Sequence, residues 1–284
     1  MINGINSREM ILEILLEIEE GEHSHVAIRN ALSKYQFLPK QDRAFITRVC
    51  EGTLEYRIQI DYIINSFSKV TVDKMKPAIR EILRSAVYQL KYMDSVPDSA
   101  VCNEAVKLAQ RKGFYNLKPF VNGVLRTIAR EMDQVRFPQK EDDLLKYLSV
   151  KYSMPEVLVT RWLEAYGEET TEKILADFLT EHPLTIRCRT YLNSKEEVIK
   201  SLESQGVHVA PAPYLSYAYS ISEFNHILAL DAFIKGKIVV QDVSSMLVAE
   251  VADPKKGDYV IDVCAAPGGK SLHMGDKMEG YGDR

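Results

Sequence analysis

No stretch of the 284-residue sequence approaches the ~18 consecutive apolar residues of a membrane span. The opening Met1-Ile2-Asn3-Gly4 lacks the basic and apolar regions of a secretory signal. No membrane partner is expected, and the expected compartment is the cytoplasm. Cysteine is scarce: Cys50, Cys102, Cys188 and Cys264 lie far apart, which provides neither a CxxC zinc pair nor a disulfide framework. No metal is expected, and the first three thiols are expected to be reduced, in or near cores. An excess of one charge is also missing, with 36 Lys+Arg against 40 Asp+Glu, but the halves differ. Residues 1 to 136 carry 20 basic against 17 acidic side chains, the remainder 16 against 23. A mildly basic front half is compatible with phosphate contacts and is weak as an argument by itself.

What is present is an ordinary globular composition, 46% hydrophobic and 27% charged, at a length that suits about two domains. From Ser7 to about Arg130 apolar residues recur at helical spacing: Ile11, Ile14, Leu15 and Ile18; Ile79, Ile82, Leu83, Ala86 and Leu90; Val121, Val124, Leu125 and Ile128. Gly21, Pro39 with Asp42, Pro97-Asp98-Ser99 and Gly113 punctuate the helices. The pattern predicts about six helices packed as a bundle over residues 1–135. Residues 136–150, with Phe137-Pro138 and the acidic Glu141-Asp142-Asp143, read as a linker.

A small mixed α/β domain is expected over 151–235. Pro155 to Tyr166, Glu168 to Leu179 and Ser194 to Gln205 read as helices, and Leu184, Ile186 and Cys188 alternate with polar residues as in a strand. Further strand-like pieces lie near 207–209 and 217–221. Alternation puts Arg187 and Arg189 on one face, opposite the core, where they can meet a phosphate backbone or simply solvent. From about 236 a third segment begins, a strand over Lys237 to Val240 leading to a helix that Asp242 or Ser244 can cap. Tyr259 to Val263 is a continuous apolar run of the kind used by a parallel strand buried on both faces.

The loop after that run, Asp262-Val263-Cys264-Ala265-Ala266-Pro267-Gly268-Gly269-Lys270-Ser271, lies where open α/β sheets bind ligands. Its glycines let a ligand approach the backbone and expose N–H groups at a helix N-terminus, which suits a carboxylate or other electron-rich group. Gly269-Lys270-Ser271 resembles the end of a phosphate-binding GxxxxGK[ST] loop, but Cys264 stands where that loop needs glycine. A GxGxxG dinucleotide fingerprint fails at Cys264, Ala266 and Pro267. A ligand-free glycine turn is the remaining alternative.

The string DVCAAPGGKS (Asp262 to Ser271) closely resembles the first S-adenosylmethionine motif of the RNA cytosine-C5 methyltransferases of the RsmB/Sun family. The QDxSS stretch, Gln241 to Ser245, is similar to the one that precedes this motif in the family. Lys151 to Pro155 and Pro183 to Arg187 resemble the family's small α/β domain. Asn103 to Ala109 and Phe120 to Arg126 resemble signature stretches of its NusB-like RNA-binding fold, so the likeness covers essentially the whole chain. The resemblance implies an all-α NusB-like bundle, a small mixed α/β domain and, over 236–284, the start of a Rossmann-like methyltransferase domain. It implies S-adenosylmethionine as cofactor, held by Cys264, Ala265, Ala266, Pro267, Gly268, Gly269 and Lys270. It implies 16S rRNA as partner, with Arg8, Arg43, Arg48, Arg57, Arg80 and Arg126 as possible phosphate contacts, none singled out.

In such enzymes a cysteine thiolate adds to C6 of cytosine, C5 takes the methyl group, and loss of the C5 proton releases the thiolate. The base must be unstacked for this. The family's two working cysteines follow proline and threonine, whereas the four here follow Val49, Val101, Arg187 and Val263, so no catalytic residue is assigned. The acidic residue that grips the cofactor ribose is expected ~20 residues past the loop, at or beyond the end, and Asp283 is not nominated. The chain is accordingly expected to be an inactive fragment whose residues from about 240 onward bind S-adenosylmethionine weakly, tight binding by calorimetry being the contrary result. The rival reading is a non-catalytic NusB-like RNA-binding or transcription-antitermination module.

Overall fold

The computed structural model describes residues 6–35, 38–180, 182–224 and 226–279. Asp283 lies outside them. The chain forms two units, Met1–Thr180 and Glu181–Arg284.

The first unit is helical: α1 (Ser7–Glu19), α2 (Ser24–Lys34), α3 (Lys40–Glu55), α4 (Arg57–Phe67), α5 (Pro77–Tyr92), α6 (Asp98–Arg111), α7 (Lys118–Glu131), α8 (Leu144–Lys151) and α9 (Glu156–Phe178). Local chemistry sets several starts. The Asn6 side chain accepts the Arg8 amide at 2.9 Å, satisfying a first-turn N–H of α1. Pro77 opens α5, where its missing N–H costs nothing. The predicted stripes meet in one core, with Ile11, Leu15, Ile79, Ile82, Leu83, Val121, Leu125 and Ile128 all buried. Gly167, at φ 74° and ψ 174°, breaks α9 into the two helical stretches expected on either side of it.

Residues 144–150, assigned to the linker from their sequence, instead form α8 together with Lys151. Asp143 caps it by accepting the Lys146 amide at 2.9 Å, and Leu148 packs with Val159 and Leu175 in a small second core. The last carbonyls of α8, at Val150 and Lys151, accept the Gln59 side-chain amide of α4 at 3.2 and 3.1 Å. An acidic stretch that looks solvated in sequence is thus a helix start.

The second unit contains β1 (Leu184–Cys188), α10 (Lys195–Glu203), β2 (His208–Pro211), β3 (Ala218–Ser222), α11 (Asp231–Ile234), β4 (Ile238–Val240), α12 (Val243–Ala252) and α13 (Gly269–Lys277). The four strands form an antiparallel sheet in the order β2-β3-β1-β4. Ile186 sits opposite Tyr219 on one side and Val240 on the other. Ile186, Cys188, Val198, Leu202, Ile221 and Ile238 fill the core between this sheet and α10 and α11.

Two expectations are corrected here. Residues 259–263 are not a strand: Tyr259, Ile261 and Val263 are 92%, 73% and 91% exposed. A parallel strand is held by neighbours along both edges and helices on both faces, and no described strand pairs with this run. Arg187 does not face solvent; it is 2% exposed and joined to α13, so the polar face of β1 is covered as well as its apolar one.

Candidate cofactor site

The loop that joins residues 259–263 to α13 is closed by Asp262. Its Oδ1 accepts the Cys264 amide at 2.9 Å and its Oδ2 the Ser271 hydroxyl at 2.6 Å, so one carboxylate pins both ends of the turn. The Ser271 hydroxyl bond, followed by the Cys264 amide, holds the Asp262 carboxyl below its ordinary range, which keeps it ionised as an acceptor. Gly268 then takes φ +110° and ψ −4°, a left-handed backbone that strains any L side chain, and α13 begins at Gly269.

Of the seven residues expected to line a cofactor, Cys264, Ala265, Ala266 and Pro267 are exposed, and Gly268, Gly269 and Lys270 are half-buried at the helix start. The structure brings all seven onto one turn. A Cβ built on Gly269 meets nothing within 4 Å, so there is open space where a ligand's backbone approach would be needed. The first N–H groups of α13 have no acceptor within their own helix and stand at its positive end. Small residues, open space and forward-pointing amides fit an amino-acid carboxylate and the edge of a nucleoside; S-adenosylmethionine has both.

Behind the loop, the inner face of α13 is half polar. His273 and Asp276 are buried with Met274 and Met278. The Asp276 carboxylate accepts Arg187 Nη1 at 2.6 Å, Arg189 Nη2 at 2.7 Å and Arg189 Nε at 3.0 Å. Arg187 Nε donates to Gln241 Oε1 at 2.9 Å, which is where the first residue of the QDxSS stretch is used. The Tyr217 hydroxyl donates to Glu250, which also accepts Lys277 at 2.8 Å, and the His273 ring stands edge-on to Tyr217 at 5.6 Å. Arg187, Tyr217, Glu250, His273, Asp276 and Lys277 line a cleft of about 250 Å³. Burial, reinforced by the positive charge of Arg187, pushes His273 down to about 4 and keeps it neutral. The sequence points to Arg187 and Arg189 but not to Asp276, because nothing local marks one acid of a short helix as the partner of a strand 89 residues earlier.

The thiols divide as expected. Cys50, Cys102 and Cys188 are buried and Cys264 is exposed, all four free. Burial pushes Cys50 and Cys102 up and Cys188 to about 11, so none of these is a ready thiolate. Of the six arginines named as phosphate contacts, Arg48, Arg57 and Arg126 are exposed. The other three are engaged: Arg8 with Gln89 and the Phe45 ring, Arg80 with Glu19 and the Val72 carbonyl, and Arg43 with the Leu32 carbonyl. Among the described residues no group of acids, histidines and cysteines is arranged to hold a metal, and no helix is long and apolar enough to cross a membrane.

Comparison with known proteins agrees along the chain. The model of the NusB family matches residues 5–130, and that of the Methyltr_RsmF/B-like, ferredoxin-like domain matches 154–227. A Bacillus subtilis protein named "Probable ribosomal RNA small subunit methyltransferase B" is 34% identical over 97% of this chain and 61% of its own length. A Synechocystis protein of the same name is 32% identical over 99% of this chain and 64% of its own. The crystal structure of PH0851 superposes with a TM-score of 0.73 at 26% identity, covering 99% of this chain and 63% of that one. The chain therefore spans somewhat under two thirds of the curated relatives it matches. With two domain models in the family's order and a match that runs through both and on through the glycine turn at 262–271, the chain belongs to the RsmB/Sun family, the ribosomal RNA small subunit methyltransferase B proteins.

Proposed function

We propose that this chain serves methyl transfer from S-adenosylmethionine to C5 of a cytosine in small-subunit (16S) rRNA, supplying the RNA-facing domains and the first cofactor loop. The observation that carries the reading is the turn over 262–271, where Asp262 clamps a run of small residues against the N-terminus of α13. Cys264, Ala265, Ala266, Pro267, Gly268, Gly269 and Lys270 lie along the cofactor. The amides at the start of α13 would donate to its carboxylate, and Asp262, bonded to the Cys264 amide and the Ser271 hydroxyl, orders the turn. When bound, the cofactor supplies an electrophilic methyl group. The helical unit, residues 1–135 above all, binds RNA, with the exposed Arg48, Arg57 and Arg126 offered to phosphates, Arg126 through the nitrogens that Asn122 does not hold. Helices α8 and α9 complete the helical unit, the small sheet domain runs from β1 through β4, and the cofactor segment follows it.

The chain's own residues do not perform the nucleophilic step. Attack on C6 needs an accessible thiolate, which the buried Cys50, Cys102 and Cys188 do not offer, and Cys264 belongs to the loop. A second reading, an RNA-binding module without catalysis, is favoured by the NusB match alone and gives the loop no role.

The test is calorimetric titration of S-adenosylmethionine into the complete product of the gene, beside its Gly268→Val variant. Valine strains the +110° backbone and fills the turn. The expected result is saturable binding that the variant weakens by about tenfold or more. Equal binding by both proteins removes the loop from the cofactor site.

A further inference from the structure

We infer that Asp276 is a positioning residue for the cofactor loop: the two β1-end arginines grip its carboxylate and thereby set the place and rotation of α13, whose first turn forms the loop. This rests on the cofactor reading above and deepens it, since the clamp lies outside the residues that would touch the cofactor.

Four observations converge. First, Asp276 lies two helical turns from Gly268, on the same rigid helix, so a rotation at the clamp is delivered to the loop amides. Second, the clamp is directional. Arg189 uses Nε and Nη2 on the carboxylate, a two-nitrogen fork, while Arg187 reaches Oδ2 with Nη1 at 2.6 Å. Such forks fix angle as well as distance, which apolar contacts do not. Third, the cluster is buried. Arg187 and Asp276 side chains are 2% and 9% exposed, so an ionised group left there without its partner is poorly compensated. Fourth, the clamp is held from behind: Gln241 accepts Arg187 Nε, and the Gln241 amide itself donates to the Thr185 carbonyl on β1 at 3.1 Å. Among the described residues the buried apolar grip of α13 comes from Met274, with Met278 just past its end, and neither defines its rotation as the carboxylate does.

A buried charged group that served stability alone would be replaceable by apolar packing at little cost. The arrangement here instead ties the one helix that carries the loop to the strand in the middle of the sheet. The loop that meets the methyl donor is then referenced to the sheet through three side chains, Arg187, Arg189 and Asp276.

The experiment uses the complete gene product in three forms: wild type, Arg189→Lys and Asp276→Asn. Lysine keeps the charge at a side chain that is 20% exposed but cannot form the fork, so it perturbs geometry with little threat to folding. Asparagine keeps the shape and removes the charge. Hydrogen exchange followed by mass spectrometry is read over 262–272 and over β1 and β3 without any ligand. The expected result is exchange in 262–272 faster by about tenfold in Asp276→Asn and by less in Arg189→Lys, with β1 and β3 at wild-type rates in Arg189→Lys. Steady-state kinetics should show KM for S-adenosylmethionine raised by about tenfold, with KM for RNA unchanged. Wild-type exchange over 262–272 in both variants overturns the clamp. Faster exchange with unchanged KM for S-adenosylmethionine overturns its service to the cofactor. If the wild-type protein takes no S-adenosylmethionine, the cofactor reading fails, while the exchange data still decide whether Asp276 sets the loop.

Discussion

Replacing Gly52 by alanine should destabilise the helical unit although it improves helix propensity. Gly52 lies inside α3, where alanine gains about 1 kcal/mol over glycine if nothing else changes. A Cβ built there collides with Cζ, Cε2 and Oη of Tyr88. The Tyr88 ring is 5% exposed and hemmed by Tyr92 at 5.3 Å and Tyr56 at 6.4 Å, so it cannot swing aside without moving a second ring. Overpacking of this kind costs about 1–3 kcal/mol, rising when the obstacle is a caged aromatic ring. With the ring caged, the cost lies toward the upper end and the collision outweighs propensity by up to about 2 kcal/mol, a fall in Tm of up to about 8 °C for a unit of this size. Gly123 in α7 is the control: a Cβ there meets nothing within 4 Å, so Gly123→Ala should gain about the full propensity term. Thermal and urea unfolding followed by far-UV circular dichroism reads both signs. The reasoning is wrong if Gly52→Ala matches or exceeds wild-type stability while Gly123→Ala rises as expected.

Two further outcomes follow from buried polar groups. His273 is held neutral by burial and by Arg187, with Glu250, Lys277 and Asp276 also facing it, so its folded value of about 4 lies below the ordinary 6.5. The unfolded chain then binds more protons than the folded one between those values, and stability of the second unit should be full above about pH 6.5 and fall as pH drops toward 4. Denaturant titrations across that range should show the slope, and His273→Gln should flatten it. In the helical unit, Gln59→Leu leaves the Val150 and Lys151 carbonyls without their donor and should cost about 1–3 kcal/mol by urea unfolding; an unchanged midpoint would mean that solvent replaces Gln59.

The helical bundle was legible because its helices are long and their stripes regular: Ile79, Ile82, Leu83 and Ala86 declare a buried face without help from the rest of the chain. The strands near 184–188 and 218–222 were legible by alternation and by the turns between them. Helix α8 was not, since two turns after Glu141-Asp142-Asp143 carry too little periodicity to outweigh the charge around them. Alternation along β1 placed Arg187 and Arg189 together correctly and then misjudged their surroundings. A pattern of period two says which residues share a face, not whether another element covers it. The run over 259–263 illustrates the same limit from the other side: its composition suits a buried strand, but a strand is a property of its neighbours. The glycine turn before α13 was readable because its requirement is local, a left-handed backbone at Gly268, whereas the Asp262 carboxylate that closes it was not marked by the sequence. The clamp behind it depends on Asp276, whose meaning arises only when α13 meets the sheet.

The most direct test of the proposed activity is transfer of a tritiated methyl group from S-adenosylmethionine to 16S rRNA by the complete gene product, with the RNA then digested to nucleosides. Label recovered as 5-methylcytidine is the predicted result. Label in another nucleoside, or none in the RNA while S-adenosylmethionine is bound, would contradict it.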